Sequence, residues 1–169
     1  DIWYYGTLSR SAWIDSDLRE NPMAATYSNN LVNHEVGYDS QEGAVASAIT
    51  ATLLSSEFDL DDGDKFMFIN RVLPDVTFEG STVTNPAAVM TLSPMQNSGS
   101  GYNNPLSVGG NSASTVTRTA TVPIEEFTGQ VFVRLRGRQM AFKVESTELG
   151  VAWKLGIPRL EMRADGRRG

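Results

Sequence analysis

The sequence predicts an all-β fold, an antiparallel sandwich or barrel of short strands. Three observations predict it. Period-two alternation of apolar, aromatic and β-branched residues recurs along the chain, and only one run also fits a helical period. Gly, Pro, Asn and Ser punctuate these runs at short intervals, as turns between strands do. A long Gly/Ser/Asn-rich stretch, "QNSGSGYNNPLSVGGNSAS" at 96–114, is too polar to pack by itself and reads as a projecting loop.

Each element follows in order. "DIWYYG" is a short aromatic strand closed by Gly6. "EGAVASAITATLLSSEF" at 42–58 fits both period 3.6, through its alanines, and period two, through Ile49–Thr52; it stays open between helix and strand. "KFMFINRVLPDVTF" puts Phe66, Phe68, Asn70 and Val72 on one face and Met67, Ile69 and Arg71 on the other, a strand covered on both sides that Pro74 interrupts. "AAVMTLSPM" is another strand, and "STVTRTATVPI" a further one that ends at Pro123. In "GQVFVRLRGRQMAFKVES", Val131, Val133 and Leu135 alternate with Phe132, Arg134 and Arg136 until Gly137 breaks the register. A bulge or a hairpin turn at Gly137–Arg138 explains the break. "VAWKLGIPRLEMR" supplies two last strands around Gly156–Ile157–Pro158.

Composition narrows the chemistry. The 169 residues suit one ordinary domain, or one domain plus part of another, large enough to bury a core. There is no cysteine, which excludes disulfides and thiolate metal sites. A single histidine, His34, excludes multi-histidine metal centres. No stretch approaches the roughly 18 apolar residues of a membrane span, and no leader peptide is evident. The start at Asp1 on a strand-like run reads as the ordered part of something longer. The net charge of −6 is uneven: residues 1–129 carry 5 basic and 16 acidic side chains, residues 130–169 carry 9 and 4. An acidic body with a basic end suits unlike poles that meet in an assembly, and less strongly a nucleic-acid contact.

Four groups of residues are candidates for function. "EFDLDDGDKFMF" at 57–68 concentrates Asp59, Asp61, Asp62 and Asp64 around Gly63. With Gly63 at position 6 of an EF-hand loop, Phe58 and Leu60 occupy positions that need oxygen ligands and Ile69 replaces the closing glutamate. A looser cation site is left, but a solvated turn before a buried strand is the better reading. His34, with Glu35 beside it and Asp39 nearby, has the parts of a general base but no marked nucleophile. Trp3, Tyr4, Tyr5 and Trp13 could line a sugar face, although core packing accounts for them better; a glycosidase carboxylate pair has no specificity among 20 acids. Arg134, Arg136 and Arg138 recur at period two; on a regular strand the first two point the same way, to meet phosphates or, better, acids of a neighbouring strand or subunit.

Several segments together, "DIWYYGTLSRSAWID", "EFDLDDGDKFMFINRVLPDVTF", "VRLRGRQMAFKVES" and "WKLGIPRLEMRADGRR", resemble in order the C-terminal part of tail nozzle proteins of tailed phages, also called tail tubular or packaged-DNA stabilisation proteins. The resemblance covers most of the chain apart from the polar loop. It implies strands that close a β-propeller in residues 1–43 and a β-sandwich in 44–169. It implies a virion component that forms a homohexameric ring below the head-to-tail adaptor, touches other tail proteins and transiently the genomic DNA, and helps retain the packaged genome. It carries no catalytic motif and no cofactor. On that expectation Asp59, Asp61, Asp62 and Asp64 are candidate lumen-facing acids that let DNA slide, and Arg134, Arg136 and Arg138 are candidate subunit or DNA contacts. The chain is much shorter than a complete nozzle. The rival readings are a carbohydrate-binding sandwich of a receptor-binding apparatus, with Trp3 and Trp13 foremost, and a hydrolase built on His34 or a carboxylate pair.

Overall fold

The computed structural model describes residues 8–15, 19–61, 63–95 and 119–167. The strand "DIWYYG", the aromatic residues Trp3, Tyr4 and Tyr5, Asp62 and the 96–114 loop lie outside the described residues. Every described element is a β-strand, and every pairing between them is antiparallel. The chain divides into two compact units, Asp1–Ile49 and Thr50–Gly169. The sequence reading draws this line after residue 43; the contacts draw it after residue 49, because the strand at Ser47–Ala48 pairs back into the first unit.

In the first unit β1 (Ala12–Ile14), β2 (Met23–Ala25) and β3 (Leu31–Asn33) form a three-stranded meander in which Trp13, Ala24 and Val32 stand in one row. The β2–β3 turn is closed by Thr26 and Asn30: the Thr26 N–H donates to the Asn30 carbonyl at 2.9 Å, and the Asn30 N–H to Thr26 Oγ1 at 3.2 Å. Asn29 takes a left-handed φ of 63° there, which asparagine tolerates. β4 (Asp39–Ser40) and β5 (Ser47–Ala48) form a separate short ribbon.

The second unit is a sandwich. One sheet runs in the order β11 (Ala120–Glu125), β10 (Ala87–Met95), β13 (Gln139–Ser146) and β6 (Ala51–Leu54), with β7 (Phe58–Asp59) pairing further along β13. The other runs β12 (Val131–Gly137), β8 (Lys65–Leu73), β15 (Arg159–Arg167). A ribbon of β9 (Val76–Thr77) and β14 (Lys154–Leu155) completes the unit. The stretch that fits both periods therefore folds as strands, with β6 pairing through Leu53 and Leu54 to Val144 and Lys143.

Alternation brings the apolar residues inward. Met67, Ile69 and Val72 of β8 and Val133 and Leu135 of β12 meet Ala88, Met90 and Leu92 of β10, Ile124 of β11, and Met140 and Val144 of β13 in one buried cluster. Fully burying a side chain of this size is worth about 1.5–3 kcal/mol, so this cluster dominates the stability of the unit. Two sheets packed through their inner faces make a sandwich.

Three details differ from the sequence reading. First, β8 does not alternate regularly. Its register against β15 shifts between Glu161 and Met162, so Asn70 is an extra residue and the inward parity changes from Met67 and Ile69 to Val72. Second, β11 continues through Pro123 to Glu125. Proline is tolerated because β11 is an edge strand and needs no donor on its outer side. Third, Gly137 marks neither a bulge nor a hairpin: β12 and β13 belong to different sheets, and Gly137–Arg138 is the corner where the chain crosses between them. The Arg138 N–H donates to the Met95 carbonyl at 2.7 Å and fixes the corner. Glycine is required by close approach, since a Cβ at 137 would stand 2.8 Å from Pro94 Cβ and 2.9 Å from the Gln139 carbonyl oxygen.

Candidate functional site

The sheet β12–β8–β15 turns an open face away from the core, and that face concentrates arginine and phenylalanine. Its rows follow from the register: Phe132, Arg71 and Glu161 lie across one, Arg136, Phe68 and Arg163 across another. The Arg136 guanidinium lies 4.0 Å over the Phe66 ring and that of Arg163 4.9 Å over Phe68. Each such contact is worth about 0.5–1 kcal/mol at an exposed site. It also covers rings that would otherwise be bare on the outer side of β8.

Ion pairs tie the rows together. Arg136 donates from Nε to Asp165 Oδ2 at 2.6 Å and from Nη2 to the Asp165 carbonyl at 3.0 Å. Arg71 Nε lies 2.8 Å from Glu161 Oε2, but its N–H is not aimed as a hydrogen bond, so the contact is mainly coulombic. Asn70 Nδ2 donates to Glu161 Oε1 at 3.1 Å. That hydrogen bond first, and more weakly the charge of Arg71, hold the Glu161 carboxyl below its ordinary value, with desolvation, second in size, opposing them. On the other sheet, hydrogen bonds from Lys143 and then Thr52 lower Glu145 in the same way. Arg134 is exposed and makes no ion pair among the described residues, and Phe132 keeps 73% of its surface in solvent.

The sequence-derived sites fall out as follows. Arg134 and Arg136 share this exposed face. Arg138 does not: it sits in the corner after β12, half-buried, with Nε lacking a hydrogen-bond partner among the described residues. Asp59 and Asp61 are exposed and Asp64 is half-buried, on the turn that carries the chain from one sheet to the other. Phe58 and Leu60, on either side of Asp59, pack against the core, which is why the acids face outward. Asp61 accepts from Lys65 Nζ at 2.6 Å and has a φ of 55°; Gly63 has a φ of 72°, and its N–H donates to the Leu60 carbonyl at 3.2 Å. These are the marks of a tight turn. Among the described residues no three His, Asp or Glu side chains gather as metal ligands.

His34 has structural partners. Arg10 Nε donates to His34 Nε2 at 3.1 Å, and Arg10 Nη1 pairs with Glu42 Oε1 at 2.6 Å. Trp13 is not a core residue: it is 51% exposed, with its ring centroid 4.5 Å from that of His34. Glu35 and Asp39 line a cleft of about 310 Å³ with His34.

The sequence reading missed Phe66, Phe68 and Arg163 as partners of the arginine stripe, because only the nonlocal register joins them. It also passed over the β11–β12 turn. There Phe127 is 93% exposed between two clefts of about 340 and 370 Å³, beside the exposed Glu125 and Glu126. Among the described residues no helix is long and apolar enough to cross a membrane. No family model matches this sequence, and no curated protein matches it either.

Proposed function

We propose that the chain is a non-enzymatic structural component of a phage tail, a tail nozzle or tail-tube protein that assembles as a ring around the genome exit channel. The ordered segments quoted above motivate the family. The observation that carries the reading to this molecule is the open Arg/Phe face of β12–β8–β15 on a well-packed sandwich. Arginine and aromatic residues are enriched where protein surfaces meet, whereas small substrates are held in concave pockets. The face is a sheet surface, suited to a macromolecule.

The test is the native mass of the protein as its source makes it, by light scattering on a sizing column. The expected result is a large closed oligomer. A monomer at every concentration overturns the ring and brings forward a sugar-binding module, for which Trp13 half-exposed over His34 is the supporting observation.

A further inference from the structure

We propose that the outer face of β12–β8–β15 docks the β11–β12 turn of a second copy of this chain. The inference rests on the assembly proposed above and names the two surfaces that build it. The face carries Arg71, Arg134, Arg136, Arg159 and Arg163 against two carboxylates, Glu161 and Asp165. Both carboxylates are already engaged, by Arg71 and Arg136. Arg134, Arg159 and Arg163 have no acidic partner among the described residues. Arg163 and Arg136 stand two strand spacings apart, about 9.5 Å at the backbone. The face is therefore a basic island on a chain of net charge −6, whose remainder is more acidic than the whole.

Charge decides the occupant. An extended polyanion is attracted by the island but repelled by the rest of the chain, whereas an acidic protein surface of limited size meets the island alone. This chain supplies such a surface. Glu125, Glu126 and Phe127 project from the β11–β12 turn, and neither glutamate pairs with a cation among the described residues. The turn is held in shape: the Thr128 N–H donates to the Glu125 carbonyl at 2.9 Å, and the Glu125 N–H to Thr128 Oγ1 at 3.0 Å. Two carboxylates and a bare phenyl ring complement the guanidinium groups that lack acidic partners and the exposed Phe132. The turn stands where the edge of one sheet passes to the edge of the other, and the face lies on the outer side of one sheet. A contact between them uses unlike surfaces of two copies, and repetition of unlike contacts closes a ring or extends a filament.

Charge reversal tests the pairing in the full protein, read by sedimentation velocity. Arg134→Glu with Arg163→Glu, and separately Glu125→Arg with Glu126→Arg, are each expected to weaken self-association by at least about tenfold, as loss of interfacial charge pairs does. The four substitutions together are expected to restore it. All four substituted residues are exposed, and thermal melts by circular dichroism check that each variant stays folded. Unchanged association in both double variants overturns this interface and leaves the ring reading standing. A wild type monomeric throughout overturns both. Weakening without rescue, or capture of a fluorescent single-stranded oligonucleotide that Arg134→Glu with Arg163→Glu abolishes, assigns the face to another partner and overturns the self-contact.

Discussion

Glu161 shows how a single exposed side chain can report on the sheet beneath it. Its carboxyl is held below the ordinary value by the Asn70 amide and then by Arg71, and Asn70 is the extra residue of the β8 bulge. A carboxyl whose folded value is depressed contributes stability above the range where it ionises in the unfolded chain. That contribution is lost as the pH falls through the lowered folded value. Replacing Glu161 by Gln therefore should lower the urea midpoint at neutral pH and bring the variant and wild type together at acid pH, below the lowered folded value, where both side chains are uncharged. Midpoints that differ equally at both pH values would remove the charge from the explanation. At this scale the sequence showed part of the site. Arg134 and Arg136 share a face because period two on one strand is a local property. Glu161 and Asn70 are 91 residues apart, and no local pattern joins them.

Strands and corners were legible where their cause is local and obscure where it is not. The break at Gly137 was visible in the alternation, but its nature was not, because a hairpin, a bulge and a crossing between sheets all begin with an interrupted strand. The distinction lies in Pro94 and Met95, which approach Gly137 from the other sheet. This gives Gly137→Ala a definite outcome. Its Cβ would meet Pro94 Cβ, the Gln139 carbonyl and the Met95 nitrogen, two of them backbone atoms with little freedom to move. The variant is expected to lose about 1–3 kcal/mol, the usual cost of an overpacked site. Urea unfolding measures it; a loss of a few tenths would show that the corner can open and that the close approach is not what selects glycine. Pro123 fits the same logic. It reads as the end of a strand until the pairing shows β11 at an edge, where its missing N–H faces no partner.

At the scale of the whole molecule, the sandwich was legible from alternation, while where the first compact unit ends depends on which short strands find each other. Every buried residue of the apolar core cluster lies between Met67 and Val151, inside the second unit. A unit of about 120 residues can bury roughly two thirds of the surface its unfolded chain exposes, enough for independent folding. Residues 50–169 produced alone should therefore unfold in one cooperative thermal transition, with methyl shifts for Met67, Met90 and Met140 dispersed as a packed core requires. A broad, non-cooperative melt with dye-binding apolar surface would instead show that residues 1–49 complete the core, and the two-unit division would fail. The outcome also bears on assembly. If the fragment folds and still self-associates, both surfaces of the proposed contact, the face of β12–β8–β15 and the Glu125–Phe127 turn, operate from the second unit alone. A fragment that folds but stays monomeric where the whole chain assembles would place an indispensable contact within residues 1–49.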